Sequence, residues 1–196
     1  MKTFAKVSNI IILVLFIVSV VQFLIFTPTM YNQYKENKEL KTCNDIQENL
    51  NIEFTGKSVE KQYSGYSSTT NYNYIVTLNF KIENKTQYDI SYIEFKTFFN
   101  LSDNKQVGYV DSYMGKERNY LYMDNDGDSS VFIKANSTET KQVQLTLAQR
   151  EIEQDEFSKE LYRRKAEGFT TSTKLHKVQV ILKNGDFHNY TQFTKE

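Results

Sequence analysis

"YIVTLNFKIENKTQYDISYIEFKTFFN", residues 74–100, carries two apolar runs around a polar break. In the first run Val76, Leu78, Phe80 and Ile82 fall on one side, and Thr77, Asn79, Lys81 and Glu83 on the other. In the second, Ile93, Phe95, Thr97 and Phe99 oppose Tyr92, Glu94, Lys96 and Phe98. A period of two belongs to an extended strand with one buried face, because successive side chains point to opposite sides. Ile90 is out of phase with the second run, which predicts a bulge or a late strand start near Ser91. The break "NKTQ" (84–87) reads as a turn. The two runs are therefore expected to be neighbouring core strands that bury one face against a second sheet.

The same pattern continues outward in both directions. Ile52 and Phe54 alternate with polar neighbours, and residues 64–73, "SGYSSTTNYN", read as a loop or hairpin tip. A short strand is expected over 107–113. Residues 118–135 read as strand, turn and strand around "DNDGD" (124–128), and "NSTET" (136–140) as a turn. In "KQVQLTL" (141–147), Val143, Leu145 and Leu147 should face in. Residues 148–168 break the β pattern and read as a surface helix over 148–167 with few apolar positions, Ile152, Phe157 and Leu161. Asp155–Lys159 and Glu160–Arg164 are favourable i,i+4 pairs on it, and Gly168 stands at its C-cap. A final hairpin over 174–193 places Val178, Val180 and Leu182 inward, with Asn184-Gly185 suited to a type I′ turn. Seven or eight short strands with turns between them predict a β-sandwich.

The N-terminus has a different character. "IIILVLFIVSVVQFLIF" (10–26) contains no charge, and its only polar residues are Ser19 and Gln22. As a helix it spans about 26 Å, and about 30 Å from Val7 onward, the thickness of a bilayer's hydrocarbon core. Its fifteen Ile, Leu, Val and Phe residues favour insertion by about 5–9 kcal/mol. The run is longer than the apolar part of a cleaved signal peptide, and the following "TPTMYNQY" is a poor cleavage site, so an uncleaved signal anchor is expected. Lys2 and Lys6 precede it without nearby acids, whereas the next lysine, Lys35, comes nine residues after Phe26. That asymmetry favours an inside N-terminus, with Tyr31 and Tyr34 as anchors at the outer interface. The expected organisation is a cytoplasmic segment (1–9), a transmembrane anchor (10–26), a charged and helical stalk (27–50) and a β-sandwich domain (51–196). Leu40, Cys43, Ile46 and Leu50 form a thin stripe at helical spacing, able to dock on the domain or to extend the membrane helix.

Composition narrows the functional classes. The chain has 24 basic and 24 acidic residues, a net charge of zero, where a nucleic-acid binder would show a basic excess. Cys43 is the only cysteine, so neither an internal disulfide nor a cysteine zinc site can form, and a bridge between two chains is the one disulfide left open. Only two histidines occur. A two-residue turn at Asn184-Gly185 would pair His188 with Ile181 and leave His176 about 17 Å away along the ladder, too far to share a metal or relay a proton. No metalloprotease, hydrolase or phosphate-loop motif is present. No catalytic residues and no cofactor are expected.

Two binding surfaces are candidates. "DNDGD" fails the calcium-loop spacing, since counting from Asp124 puts Ser129 at position six and Ala135 at position twelve. Asp124, Asp126 and Asp128 remain a looser candidate for Ca2+. Tyr63, Tyr66, Tyr72 and Tyr74 flank a polar loop and could form an aromatic contact surface for sugar or protein. "RRK" (163–165) reads as a solvated helix end.

The arrangement of residues 74–147 resembles the FxLYD-type immunoglobulin-like domains of secreted and membrane-anchored proteins of Gram-positive bacteria. Phe98-Phe99-Asn100 stand where that motif has Leu-Tyr-Asp, and "NSTETKQVQL" is similar to its later turn and strand. The resemblance implies an immunoglobulin-like β-sandwich on the extracytoplasmic side of the cell membrane. The expected role is non-catalytic recognition or assembly at the cell envelope, with envelope proteins as partners. The alternatives are a subunit of a transport or secretion apparatus, and a calcium- or glycan-binding surface module.

Overall fold

A computed structural model of the chain describes residues 2–63, 72–101, 105–118 and 131–193, with side chains from residue 14 onward. The chain divides into two compact units, Met1–Thr42 and Cys43–Glu196. The first unit is helical and belongs to α1 (Lys2–Asn49). Its described apolar side chains lie open: Phe16, Phe23, Leu24 and Phe26 are each more than 60% exposed. The helix is long and apolar enough to cross a membrane.

The second unit is mainly β. Its strands are β1 (Leu50–Tyr63), β2 (Tyr72–Asn84), β3 (Asp89–Leu101), β4 (Gln106–Gly115), β5 (Ser137–Ala148), β6 (Phe169–Ile181) and β7 (Phe187–Tyr190). They form two antiparallel sheets, ordered β1-β2-β5 and β4-β3-β6-β7. The inward residues read from the alternation are the core. Val76, Leu78, Phe80 and Ile82 of β2 and Ile93, Phe95, Thr97 and Phe99 of β3 are all fully buried. Val143, Leu145 and Leu147 of β5 are half-buried in the expected phase. The C-terminal turns of α1 and the first residue of β1 also contribute, since Cys43, Ile46 and Leu50 join the core while Leu40 stays exposed. A disulfide between chains through Cys43 would require that core to open.

The two diagnostic runs are not hydrogen-bonded neighbours. β2 and β3 lie in opposite sheets, and they meet through side chains, with the Phe80 and Phe95 rings 5.4 Å apart and edge to face. The crossing is held by Asn84. Its amide nitrogen donates to the carbonyls of Tyr88 and Lys134, and its oxygen accepts from the Thr86 amide and hydroxyl. A fully buried amide with every group paired fixes this turn as a corner rather than a hairpin.

The slip near Ser91 is present. In the β3–β6 ladder Ile90 faces Val180 but Tyr92 faces Gln179, leaving Ser91 as the extra residue. Gly115 packs against it with φ +90°, and a Cβ there would lie 2.2 Å from the Ser91 carbonyl oxygen, so both backbone conformation and space require glycine.

Other expectations are corrected. Residues 131–135 form no strand, and only Ile133 bridges to Ile90. β5 begins at Ser137, inside the expected 136–140 turn, which is reduced to a sharp bend at Asn136 with φ 52°. Asparagine tolerates that left-handed geometry better than other L-residues. Asn136→Ala should therefore lower stability by about 1 kcal/mol, read as a shift of the urea midpoint, while Asn136→Gly should leave it unchanged or raise it. The helix expected over 148–167 is two short ones, α2 (Gln149–Gln154) and α3 (Glu156–Arg163), followed by a 3-10 turn at Ala166–Gly168. Asp155 breaks the helix because its carboxylate accepts the Ser158 amide at 2.6 Å and caps α3. It forms no ion pair with Lys159 among the described residues, whereas Glu160 and Arg164 do pair, at 2.7 Å. Gly168 does not take the positive φ of a left-handed cap.

The last hairpin is longer than two residues. Leu182 and Gly185 close a turn, Gly185 has φ +86°, and the Leu182 amide donates to Asp186. A type I′ turn needs positive φ at both central residues, and Asn184 lacks it. The register therefore shifts by one. His188 faces Val180 rather than Ile181, and His176 stands four residues further along β6, about 13 Å away at strand rise. Leu182 is only half-buried.

Candidate functional site

Past the register slip at Phe54/Gly56, β1 turns Lys57, Val59 and Lys61 to the same side as Leu78, Val76 and Tyr74 of β2, their ladder partners. The inward face thus changes along its length from hydrocarbon to lysine and tyrosine. Tyr63 faces Tyr72 with ring centroids 5.9 Å apart, and the Lys61 ammonium sits 3.5 Å above the Tyr72 ring. A cation over a tyrosine face is attracted by the ring quadrupole.

α3 closes one side of this face. Its carboxylate-capped start and the fully buried Leu161 fix how it sits, and the neighbouring Tyr162 meets Tyr74 edge to face at 4.8 Å. The Lys57 ammonium donates to the Tyr162 carbonyl at 3.4 Å. Burial pulls the Lys57 ammonium below the usual lysine range, because a charge loses hydration there without gaining a carboxylate. Arg163 and Lys165 follow, both exposed. Two shallow cavities of about 390 and 440 Å³ lie here and share Val59, Tyr162 and Arg163 as lining, so they form one trough.

The structure thus gathers Tyr63, Tyr72 and Tyr74, and sets Tyr74 at the trough itself. Tyr66 lies outside the described residues, as do Asp124, Asp126 and Asp128. The sequence reading missed the cations. Arg163, Arg164 and Lys165 are not merely a solvated helix end, since they line the trough opposite Lys57. Lys57, Val59 and Lys61 show period two in the sequence, which is the one local sign of a shared face.

A larger cleft of about 750 Å³ lies elsewhere in the second unit, between the start of β1 and the middle of β6, with Glu53 and Lys174 as its charged groups. Among the described residues, no three His, Cys, Asp or Glu side chains are grouped to hold a metal ion. His188 packs against the Tyr190 ring at 4.5 Å. Comparison with known proteins gives no matching family model, no matching curated protein and no matching solved structure.

Proposed function

We propose that this chain is a single-pass membrane protein that presents an immunoglobulin-like β-sandwich outside the cytoplasm and serves recognition or assembly at the cell envelope without catalysis. The observation that carries the reading is the exposed apolar stretch of α1, whose most hydropathic window has none of its residues buried. Water penalises such a surface and a bilayer does not. Strand order supports the immunoglobulin-like assignment. The first, second and fifth strands form one sheet, and the fourth, third, sixth and seventh form the other. That is the order A-B-E against C′-C-F-G, which keeps the C-F-G sheet of immunoglobulin domains and adds C′ at its edge. Lys2 and Lys6 before the apolar run support a cytoplasmic N-terminus.

Location and side are tested together. His176 is exposed on β6, while the native thiol is buried and gives little background. In intact cells, His176→Cys should react with a membrane-impermeant maleimide and Lys2→Cys should react only after permeabilisation. The chain should stay in carbonate-washed membranes at its full 23.1 kDa. Labelling in the opposite order overturns the orientation. A mature chain shortened by the apolar run overturns the anchor.

A further inference from the structure

We infer that the trough between β1 and α3 binds an anionic polysaccharide, with Lys57, Lys61, Arg163 and Lys165 meeting its charged groups and Tyr74 and Tyr162 its sugar rings. The inference deepens the recognition role proposed above, which would bring the trough into contact with such a polymer; binding itself does not depend on which side of the membrane the unit occupies.

Charge is the first argument. The whole chain is neutral, yet among the described residues the trough gathers five cations, the four above and Arg164, against Glu167 as the one lining carboxylate. Arg164 is neutralised by Glu160. Among the described residues the other four have no carboxylate partner. Lys57 is spent on a carbonyl and Lys61 on a ring face, both of which leave the charge uncompensated. An incoming carboxylate would restore to Lys57 the favourable environment that burial removes. Arg163 offers a planar donor fork suited to a carboxylate.

The second argument is the floor. Lys57, Val59 and Lys61 project from the face of β1, the edge strand of its sheet. A ligand lying across that face meets these side chains. A sugar ring has an apolar face for Tyr74 and Tyr162 and a polar rim for the flanking cations, the same split that makes tyrosine effective in binding surfaces. Two joined shallow cavities suit a run of repeating units better than one enclosed small molecule.

The test uses the full chain in phosphatidylcholine nanodiscs, titrated calorimetrically with polygalacturonate at low salt. Binding is expected, weakening as salt rises because Lys61, Arg163 and Lys165 are exposed. Neutral dextran and polyglutamate should each bind at least tenfold more weakly. The triple variant Lys61→Glu, Arg163→Glu, Lys165→Glu should lose binding at least tenfold with an unchanged melting temperature. Tyr162→Leu, which keeps apolar packing, should weaken polygalacturonate several-fold. Absence of binding overturns the inference and leaves the membrane reading intact. Polyglutamate binding as tightly as polygalacturonate overturns the sugar, and equal binding of dextran overturns the charge. A reversed maleimide labelling pattern bears on the membrane reading alone.

Discussion

Phe99→Ala should destabilise the second unit by about 3–5 kcal/mol, the range for removing a fully buried aromatic ring. Phe99 has no exposed surface. Its ring centroid lies 5.3 Å from that of Phe54 on β1, 5.5 Å from that of Phe169 on β6 and 5.8 Å from that of Phe157 on α3. Both sheets and a helix thus meet on one side chain, and the backbone elements around it cannot all close on the space left behind. In a unit of this size the melting temperature should fall by about 6–20 °C, followed by the β-sheet circular dichroism of the full chain. Phe98→Ala is the internal control. Phe98 is the same residue type one position away, half-buried on the other face and tilted toward Tyr109 at 6.1 Å. Its loss should cost no more than about 1.5 kcal/mol. Equal effects from the two would show that the alternation has been assigned to the wrong faces.

That contrast also marks what could be read from the residues alone. Which side chains of β2 and β3 point inward follows from a local rule, since the pleat alternates strictly and apolar residues lose water by turning in. The slip at Ser91 is equally local, because Ile90 breaks the phase. Which strands pair is not local. The polar break looks the same whether it joins a hairpin or carries the chain between sheets, and the difference lies in Asn84 reaching the Lys134 carbonyl fifty residues on. Asn184-Gly185 fits two kinds of hairpin, and the pairing of Leu182 with Asp186 selects the longer one. Asp155 could pair with Lys159 or cap α3. The cap wins because two short helices hold both Ile152 and Leu161 against the β unit, with exposures of 7% and 0%. The trough was half legible. Its tyrosines stand out by type, but its cations come from segments about a hundred residues apart, and their meeting depends on where α3 packs.

Gln179→Leu should cost about 3–5 kcal/mol, although leucine fills a similar space, because the loss is in hydrogen bonding rather than in volume. Gln179 sits between Val178 and Val180 on β6 with no exposed surface. Its oxygen accepts from the Ser91 hydroxyl and from the Arg118 amide, both at 2.9 Å. Its nitrogen donates to the Arg118 carbonyl at 2.6 Å and to Asn189 at 2.9 Å. One side chain therefore serves the bulge, the segment after β4 and β7 together. The Ser91 hydroxyl has a second acceptor in the Gln179 carbonyl at 3.2 Å, so Ser91→Ala should cost only about 1 kcal/mol. Among the described residues the Arg118 backbone has no such reserve: with leucine in place, its amide and carbonyl lose these bonds inside the protein, at about 1–3 kcal/mol each. The melting temperature should drop by about 6–20 °C. Hydrogen exchange gives the site-specific reading, because the Arg118 amide should exchange much faster in Gln179→Leu than in Ser91→Ala. An Arg118 amide equally protected in both variants would mean that the segment after β4 is held by something other than this buried amide.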